Sequence, residues 1–188
     1  YQAGGIDGLR AGFAAGHKAQ ILYAPTGAGK TEIAMAMMKA AHDKGTRAAM
    51  ILDRIVLCDQ TSARLDKYGI PHGVMQAGHW RYRPYERIQV CSAQTLEKRG
   101  SFPGLNLLFV DECHATRKQT AEFIRNHPEI KVVGLTASPF TKGLGALYSN
   151  MVSCTTTDFL VQSGFLVPLR VFQATQIDMT GAKKIAGE

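Results

Sequence analysis

The sequence predicts an α/β domain with a mostly parallel central sheet and helices on both faces. Three observations lead there. Short apolar runs alternate along the chain with helical stretches. Those runs are largely apolar throughout instead of alternating, as expected of strands covered on both faces. The turn-rich and charged sequences stand at the carboxyl ends of the runs, where open parallel sheets bind ligands. The 188 residues, 45% hydrophobic and 20% charged, suit one domain with a real core.

The elements follow in order. Ile21–Ala24 reads as a strand, and Pro25–Gly29 as a tight loop. From Lys30 the pattern turns helical, with Ile33, Ala34, Met37, Met38 and Ala41 on one face and Gly45 as the stop. Ala48–Leu52 is a strand and Ile55–Lys67 a helix, broken at Gly69-Ile70-Pro71. Gly73–Gln76 reads as a strand, His79–Glu86 as an exposed loop, Ile88–Ser92 as a strand and Ala93–Lys98 as a helical turn. Leu105–Val110 is an apolar strand that ends on Asp111-Glu112. A helix over Thr116–Asn126 stops before Pro128, and Lys131–Leu135 is a strand that ends on Thr136-Ala137-Ser138-Pro139. Thr157–Gln162 reads as a short helix and Leu169–Ala174 as a strand. There are no internal repeats.

Bulk properties exclude several classes. No apolar run approaches the roughly 18–20 residues that cross a bilayer, so no membrane partner is expected. Cys58, Cys91, Cys113 and Cys154 form no Cys-x-x-Cys pair, which points to reduced thiols and a cytoplasmic protein. Cys113 and His114, two adjacent ligand types without further partners, do not close a tetrahedral metal site. The net charge of +7 suits a polyanionic partner, although a basic protein need not have one. His17, His42, His72 and His127 have no evident partners and are expected at the surface.

Two segments carry chemistry. Ala24-Pro-Thr-Gly-Ala-Gly-Lys-Thr31 fits the phosphate-loop pattern, with Ala24 where the strict form has Gly. A polyphosphate needs several inward-pointing N–H groups, which a tight loop over Thr26, Gly27, Ala28 and Gly29 can supply. The helix that follows aims its positive end at the phosphates. Lys30 reaches the β- and γ-phosphates, and the Thr31 hydroxyl ligates Mg²⁺. Asp111, carried out on a buried strand beside that loop, is the second Mg²⁺ ligand, and Glu112 orients and deprotonates the attacking water. Taken alone, an Asp-Glu pair after a strand commonly caps a helix. Together with the loop it points to hydrolysis of a bound nucleotide instead of simple binding.

These residues bear a family resemblance. Asp111-Glu112-Cys113-His114 resembles motif II of the DEAD/DEAH-box group of superfamily-two helicases, in its DECH form, and Ala24–Thr31 is similar to motif I. Thr136–Pro139 resembles motif III, with Ser138 where Thr is usual. Leu52–Thr61 resembles motif Ia, and Ser92–Leu96 the nearby strand-contacting motif. Tyr1-Gln2 resembles the end of a signature that touches adenine, which makes Gln2 a nucleotide-site candidate. The closest likeness is to bacterial and phage DNA helicases, akin to the RadD repair helicase and the motor subunits of restriction enzymes.

The resemblance implies a RecA-like domain over residues 1–165, with 166–188 an exit segment toward a second RecA-like domain. His114, Thr136 and Ser138 would couple hydrolysis to movement. Arg54, Gln94 and Thr95 would lie along the nucleic-acid backbone, with DNA favoured over RNA. The second domain would supply arginine fingers, worth roughly 10³–10⁵ in rate, so this domain alone is expected to turn ATP over slowly. Alternatives are a restriction-type translocase on duplex DNA, an RNA helicase, and a nucleotide-gated binding module without motor activity. A small-molecule kinase gives no reason for the motif III string.

The stretch from Gly78 to Arg87 holds three arginines, the only tryptophan and two tyrosines. Arginines neutralise phosphates and aromatic rings stack on bases, which adds His79 and Arg81 to the nucleic-acid candidates. The alternative is a solvated loop whose Trp80 packs back on the body.

Overall fold

The computed structural model describes residues 1–170. Its helices are α1 (Gln2–Ala14), α2 (Lys30–Asp43), α3 (Ile55–Lys67), α4 (Ala93–Arg99), α5 (Lys118–Asn126) and α6 (Thr157–Gln162). Its strands are β1 (Ala19–Tyr23), β2 (Ala48–Leu52), β3 (His72–Met75), β4 (Ile88–Ser92), β5 (Leu107–Val110), β6 (Lys131–Thr136) and β7 (Asn150–Ser153). The seven strands form one sheet in the order β3-β4-β2-β5-β6-β1-β7, and every pairing is parallel. The expected α/β class is therefore the observed one. The strand expected over Leu169–Ala174, and most of the exit segment, fall outside the described residues.

Successive strand residues feed opposite cores. Leu22, Met50, Leu52, Phe109 and Val133 pack with Leu9 of α1, Met38 of α2 and Leu65 of α3. Ile21, Ala49, Ile51, Leu108 and Val132 pack with Leu96 of α4, Ile124 of α5 and Tyr148. Burial of both faces is why β2, β3, β4 and β5 have no exposed residue.

Two elements were not foreseen. Helix α1 carries Gly4, Gly5, Gly8 and Gly12, each costing about 1 kcal/mol of helix propensity relative to Ala. Three of them let the helix approach β1 and β7. A Cβ would stand 2.8 Å from Cys154 Cβ at Gly5 and 2.7 Å from Val152 Cγ1 at Gly8, and at Gly12 it would run into Gln20 Oε1. Gln20 itself is fully buried on β1. It donates to Leu9 O at 3.0 Å and accepts from Asn150 Nδ2 at 2.7 Å, tying α1, β1 and β7 together. Strand β7 is half-exposed, so it lacks the apolar run that marks its neighbours.

His72 corrects the expectation of a surface histidine: it is buried on β3. Its Nδ1–H donates to Ile70 O at 2.8 Å, so Nε2 accepts from Ser62 Oγ at 2.8 Å and from Arg81 Nη1 at 2.7 Å. Burial holds its pKa below the ordinary value. The segment after β3 runs back along the outer edge of the sheet. Val74 N donates to Arg81 O at 2.9 Å, and Gln89 Nε2 donates to Arg83 O and Glu86 O at 2.8 and 2.9 Å. An edge covered this way offers no template for another strand.

Candidate nucleotide and nucleic-acid site

The carboxyl ends of β1, β6, β5 and β2 stand side by side and present the candidate residues. The acidic pair is not directly beside the phosphate loop, because β6 lies between β1 and β5. Ala24 N donates to Thr136 O at 3.2 Å, which fixes the loop to the end of β6.

The loop turns on Gly27 and Gly29, whose φ angles of 84° and 78° are left-handed and suit glycine. Gly29 caps α2. Ala28 is buried, while Thr26 and Gly27 are exposed. Lys30 Nζ donates to Ala24 O at 3.0 Å and Pro25 O at 3.4 Å, so its ammonium sits within its own loop. Gln2 also belongs here: a Cβ on Gly29 would stand 2.5 Å from Gln2 Nε2.

Thr31 and Asp111 line one small cavity with Gln60 and Arg64 of α3. Burial pushes the Asp111 carboxyl above its usual range, and neighbouring Glu112 adds to this, while Lys30 opposes it. The donor set suits Mg²⁺, which is held by one or two carboxylates together with substrate phosphates and water. Among the described residues no group of three or more His, Cys, Asp or Glu is placed to form an all-protein metal cage.

Glu112 is the one non-glycine described residue with a left-handed backbone, at φ 45°. Such strain costs about 1–3 kcal/mol and persists where surrounding structure enforces it. The enforcement is visible. The 3-10 turn Cys113–Ala115 packs on β6, with Cys113 buried against Gly134 and Tyr148, and burial lifts the Cys113 thiol to about 12. Cys113 is thus a packing residue. His114 Nδ1 lies 2.9 Å from Thr136 Oγ1 and 3.3 Å from Glu112 Oε2. Thr136 Oγ1 accepts from Ser138 N at 2.9 Å. Glu112, His114, Thr136 and Ser138 therefore form one connected chain of polar contacts.

The five nucleic-acid candidates divide. Arg54 and Gln94 are exposed at the ends of β2 and β4. Thr95 is buried, and its Oγ1 accepts from Ala77 N at 3.2 Å. The His79 side chain is 6% exposed and faces Asp59 at 3.1 Å. The Arg81 side chain is 14% exposed and holds Asp66 through two nitrogens at 2.6 and 2.9 Å. The structure thus brings Arg54 and Gln94 to the open surface and turns the other three inward. Trp80 does not pack back on the body: it is 75% exposed, with Arg81 4.6 Å from its ring centre.

One residue escaped sequence reasoning. Arg117 donates to Asp53 Oδ1 and Glu97 Oε2, both at 2.7 Å. It ties the segment after the acidic pair to the ends of β2 and α4, beside Arg54 and Gln94. An isolated arginine before a helix carries no sequence signal of partners 64 and 20 residues away.

Comparison with known proteins adds to this geometry. A family model described as the res subunit of type III restriction enzymes matches residues 1–141. A 51.5 kDa protein of a Lactococcus phage is 24% identical over 170 residues, covering 85% of this chain and 34% of that protein. The chain thus spans about a third of that relative. The fold resembles the UvsW helicase of bacteriophage T4, with a TM-score of 0.60, 18% identity, and coverage of 72% of this chain and 54% of that one. It also resembles the Hef helicase domain of Pyrococcus furiosus, with a TM-score of 0.59, 21% identity, and coverage of 75% and 36%.

Proposed function

The chain belongs to the family of type III restriction enzyme res subunits, and on that premise we propose that it is the ATP-binding first domain of a motor that moves on nucleic acid. The observation that carries this reading is the convergence of Thr31 and Asp111 on one cavity, with Glu112 joined through His114 to Thr136. Lys30 and the loop N–H groups hold the β- and γ-phosphates. Thr31 and Asp111 hold Mg²⁺, which supplies charge neutralisation at the phosphates when bound. Glu112 orients the attacking water and takes its proton. Gln2 reaches the nucleotide beside Gly29.

The polar chain from Glu112 to Ser138 gives hydrolysis a route to the end of β6. Thr136 is buried while Ser138 is exposed, so a change at Glu112 passes through a buried hydroxyl and reaches Ser138 in three contacts. Arg54 and Gln94 offer the backbone contacts, and the +7 charge favours a polyanion. Arg81, Thr95 and His79 act on this reading by shaping the surface from beneath.

DNA is the favoured track, on the resemblance of the motifs to bacterial and phage DNA helicases. A second reading, drawn from the resemblance to restriction-enzyme motor subunits, is a translocase that moves on duplex DNA without separating it. No helix among the described residues is long and apolar enough to cross a membrane.

The test is ATPase activity of the full-length protein with single-stranded DNA, duplex DNA and RNA, beside a Glu112→Gln control. Stimulation by one polymer, lost in the control, is expected. Turnover indifferent to every polymer would overturn the motor reading. Strand separation against displacement of a triplex-forming strand distinguishes helicase from duplex translocase.

A further inference from the structure

The loop after β3 turns His79 and Arg81 inward, yet it holds the chain's only tryptophan outside, 75% exposed. The turn that carries Trp80 is fixed. His79 N donates to Gln76 O and Tyr82 N to His79 O, both at 3.2 Å, and Val74 N donates to Arg81 O at 2.9 Å. Arg81 N donates to His79 Nδ1 at 3.0 Å. The Arg81 guanidinium lies 4.6 Å from the centre of the indole and is itself held by Asp66 and His72. The His79 ring runs nearly parallel to the indole, 5.8 Å from it and at 21°. At 75% exposure the indole is not sandwiched between these two groups, and a face stays open to solvent. A ring fixed in advance loses little freedom when something stacks on it.

The same turn is tied to the elements that present Arg54 and Gln94. Ala77 N donates to Thr95 Oγ1 at 3.2 Å, next to Gln94 on α4. His79 Nε2 carries the ring proton, since Nδ1 accepts from Arg81 N, and donates to Asp59 Oδ1 of α3 at 3.1 Å. One helical turn before Asp59, on the same face of α3, stand Ile55 and Val56, 49% and 64% exposed and directly after Arg54. Single exposed apolar side chains need no explanation, but a group gathered beside an arginine marks a binding surface. The neighbouring carboxylates are already engaged, Asp66 by Arg81, and Asp53 and Glu97 by Arg117. Arg54 makes no ion pair among the described residues and is open to an anion from outside.

We propose that Trp80 stacks on an unpaired base of the polymer held along Arg54 and Gln94, and so makes this domain a binder of single strands in preference to duplex. This rests on the nucleic-acid reading of that surface. Every base has a π-face, so stacking is indifferent to sequence. A duplex keeps those faces against its own neighbours and offers the indole only sugar, phosphate and groove edge. Arg54 meets a phosphate in either polymer, because backbone contacts position without discriminating. Trp80 is therefore the residue that tells the two polymers apart. The arginine beside this apolar stretch and the net charge of +7 favour a polyanion over a protein partner.

Because Trp80 is the only tryptophan, intrinsic fluorescence of the chain reports on this ring alone. The experiment titrates the chain at low salt with oligothymidylate and, separately, with a duplex closed by a loop at both ends. Binding is read by anisotropy of labelled DNA and the indole by its own emission on unlabelled DNA. The single strand is expected to quench the emission, and the duplex to leave it unchanged. Base stacking on an aromatic side chain is worth about 1–3 kcal/mol, or roughly 5- to 150-fold. Trp80→Ala is therefore expected to weaken the single strand by about fivefold or more and to leave the duplex within about twofold, while Trp80→Phe keeps most of the single-strand affinity. Trp80 is exposed, so the thermal midpoint stays unchanged and loss of fold is not the cause. Emission unchanged on a bound single strand, or both polymers weakened alike by Trp80→Ala, overturns the stacking. Binding of neither polymer, or binding of both undiminished in Arg54→Ala, overturns the nucleic-acid reading of this surface instead and this inference with it.

Discussion

Replacing Gly134 by Ala tests whether the acidic pair is held in place by packing behind it. Gly134 lies inside β6, paired with Ile21 on one side and Val110 on the other. A Cβ there would stand 2.7 Å from Cys113 Sγ, 2.8 Å from Cys113 Cβ and 2.8 Å from the ring Cζ of Tyr148. None of these atoms is the free end of a flexible side chain. Cys113 is fixed in the 3-10 turn and Tyr148 is 4% exposed. Overpacking costs about 1–3 kcal/mol, and three rigid contacts place this change in the upper half, about 2–3 kcal/mol by the same principle. For a domain of this size each kcal/mol lowers the thermal midpoint by about 2–4 °C, which gives a fall of roughly 4–12 °C. Thermal unfolding followed by circular dichroism reads this directly. Cys113→Ala in the same chain removes the Sγ contact and recovers part of the loss, since residues in contact couple. A Gly134→Ala midpoint within about 1 °C of the parent would refute the argument, because by the same scale it means less than about 0.5 kcal/mol of overpacking. The turn that carries Glu112 and His114 would then not rest on β6.

Further expectations concern titrating groups and the water-activating carboxylate. Glu112→Gln should retain MgATP binding and lower turnover of the full-length protein by about 10²–10⁴, the usual worth of a general base; equal loss of binding would contradict its role. Asp111 is held above its ordinary value of 3.8, so its charged form is disfavoured in the folded chain. Without metal, Asp111→Asn should raise the thermal midpoint at neutral pH, and the gain should vanish as pH falls through that ordinary value; a lower midpoint at neutral pH contradicts this. His72 is held neutral below its ordinary value of 6.5. The stability it supplies is complete above 6.5 and drains as pH falls from there toward the folded value. The parent midpoint should therefore drop between pH 7 and pH 5 by more than that of His72→Gln, and parallel curves would remove His72 from the account.

The parts of this molecule that the sequence announces are those whose chemistry is local. A phosphate loop needs its glycines within a few residues, and a strand buried on both faces writes its own apolar run, so β2, β4, β5 and the loop at Gly27–Lys30 are legible directly. Helix α1 was hidden because its glycines serve partners on β1 and β7, far along the chain. His72 was misplaced because nothing nearby shows Ser62 and Arg81 closing around it. The same holds at the site. Asp111 and Thr31 announce themselves through spacing, whereas Arg117 takes its meaning from Asp53 and Glu97. The loop over 79–86 has the composition of a nucleic-acid contact, yet its backbone lies along β3 and its Arg81 is spent on Asp66.

The place of β1 in the sheet has a consequence for how the protein is made. Strands β2, β3, β4 and β5 pair only among themselves and with β6, so they can assemble once Val110 has left the ribosome. β1 is synthesised before all of them, but its two neighbours are β6 and β7, more than a hundred residues later. It must wait, with α1 and the phosphate loop attached, until the chain through Ser153 has emerged. Such distant pairing slows folding. The phosphate loop is thus translated before the strands that hold it and is among the last parts of the domain to be fixed, and a nascent chain cut short before Lys131 would carry every residue of the loop and no strand to hold it.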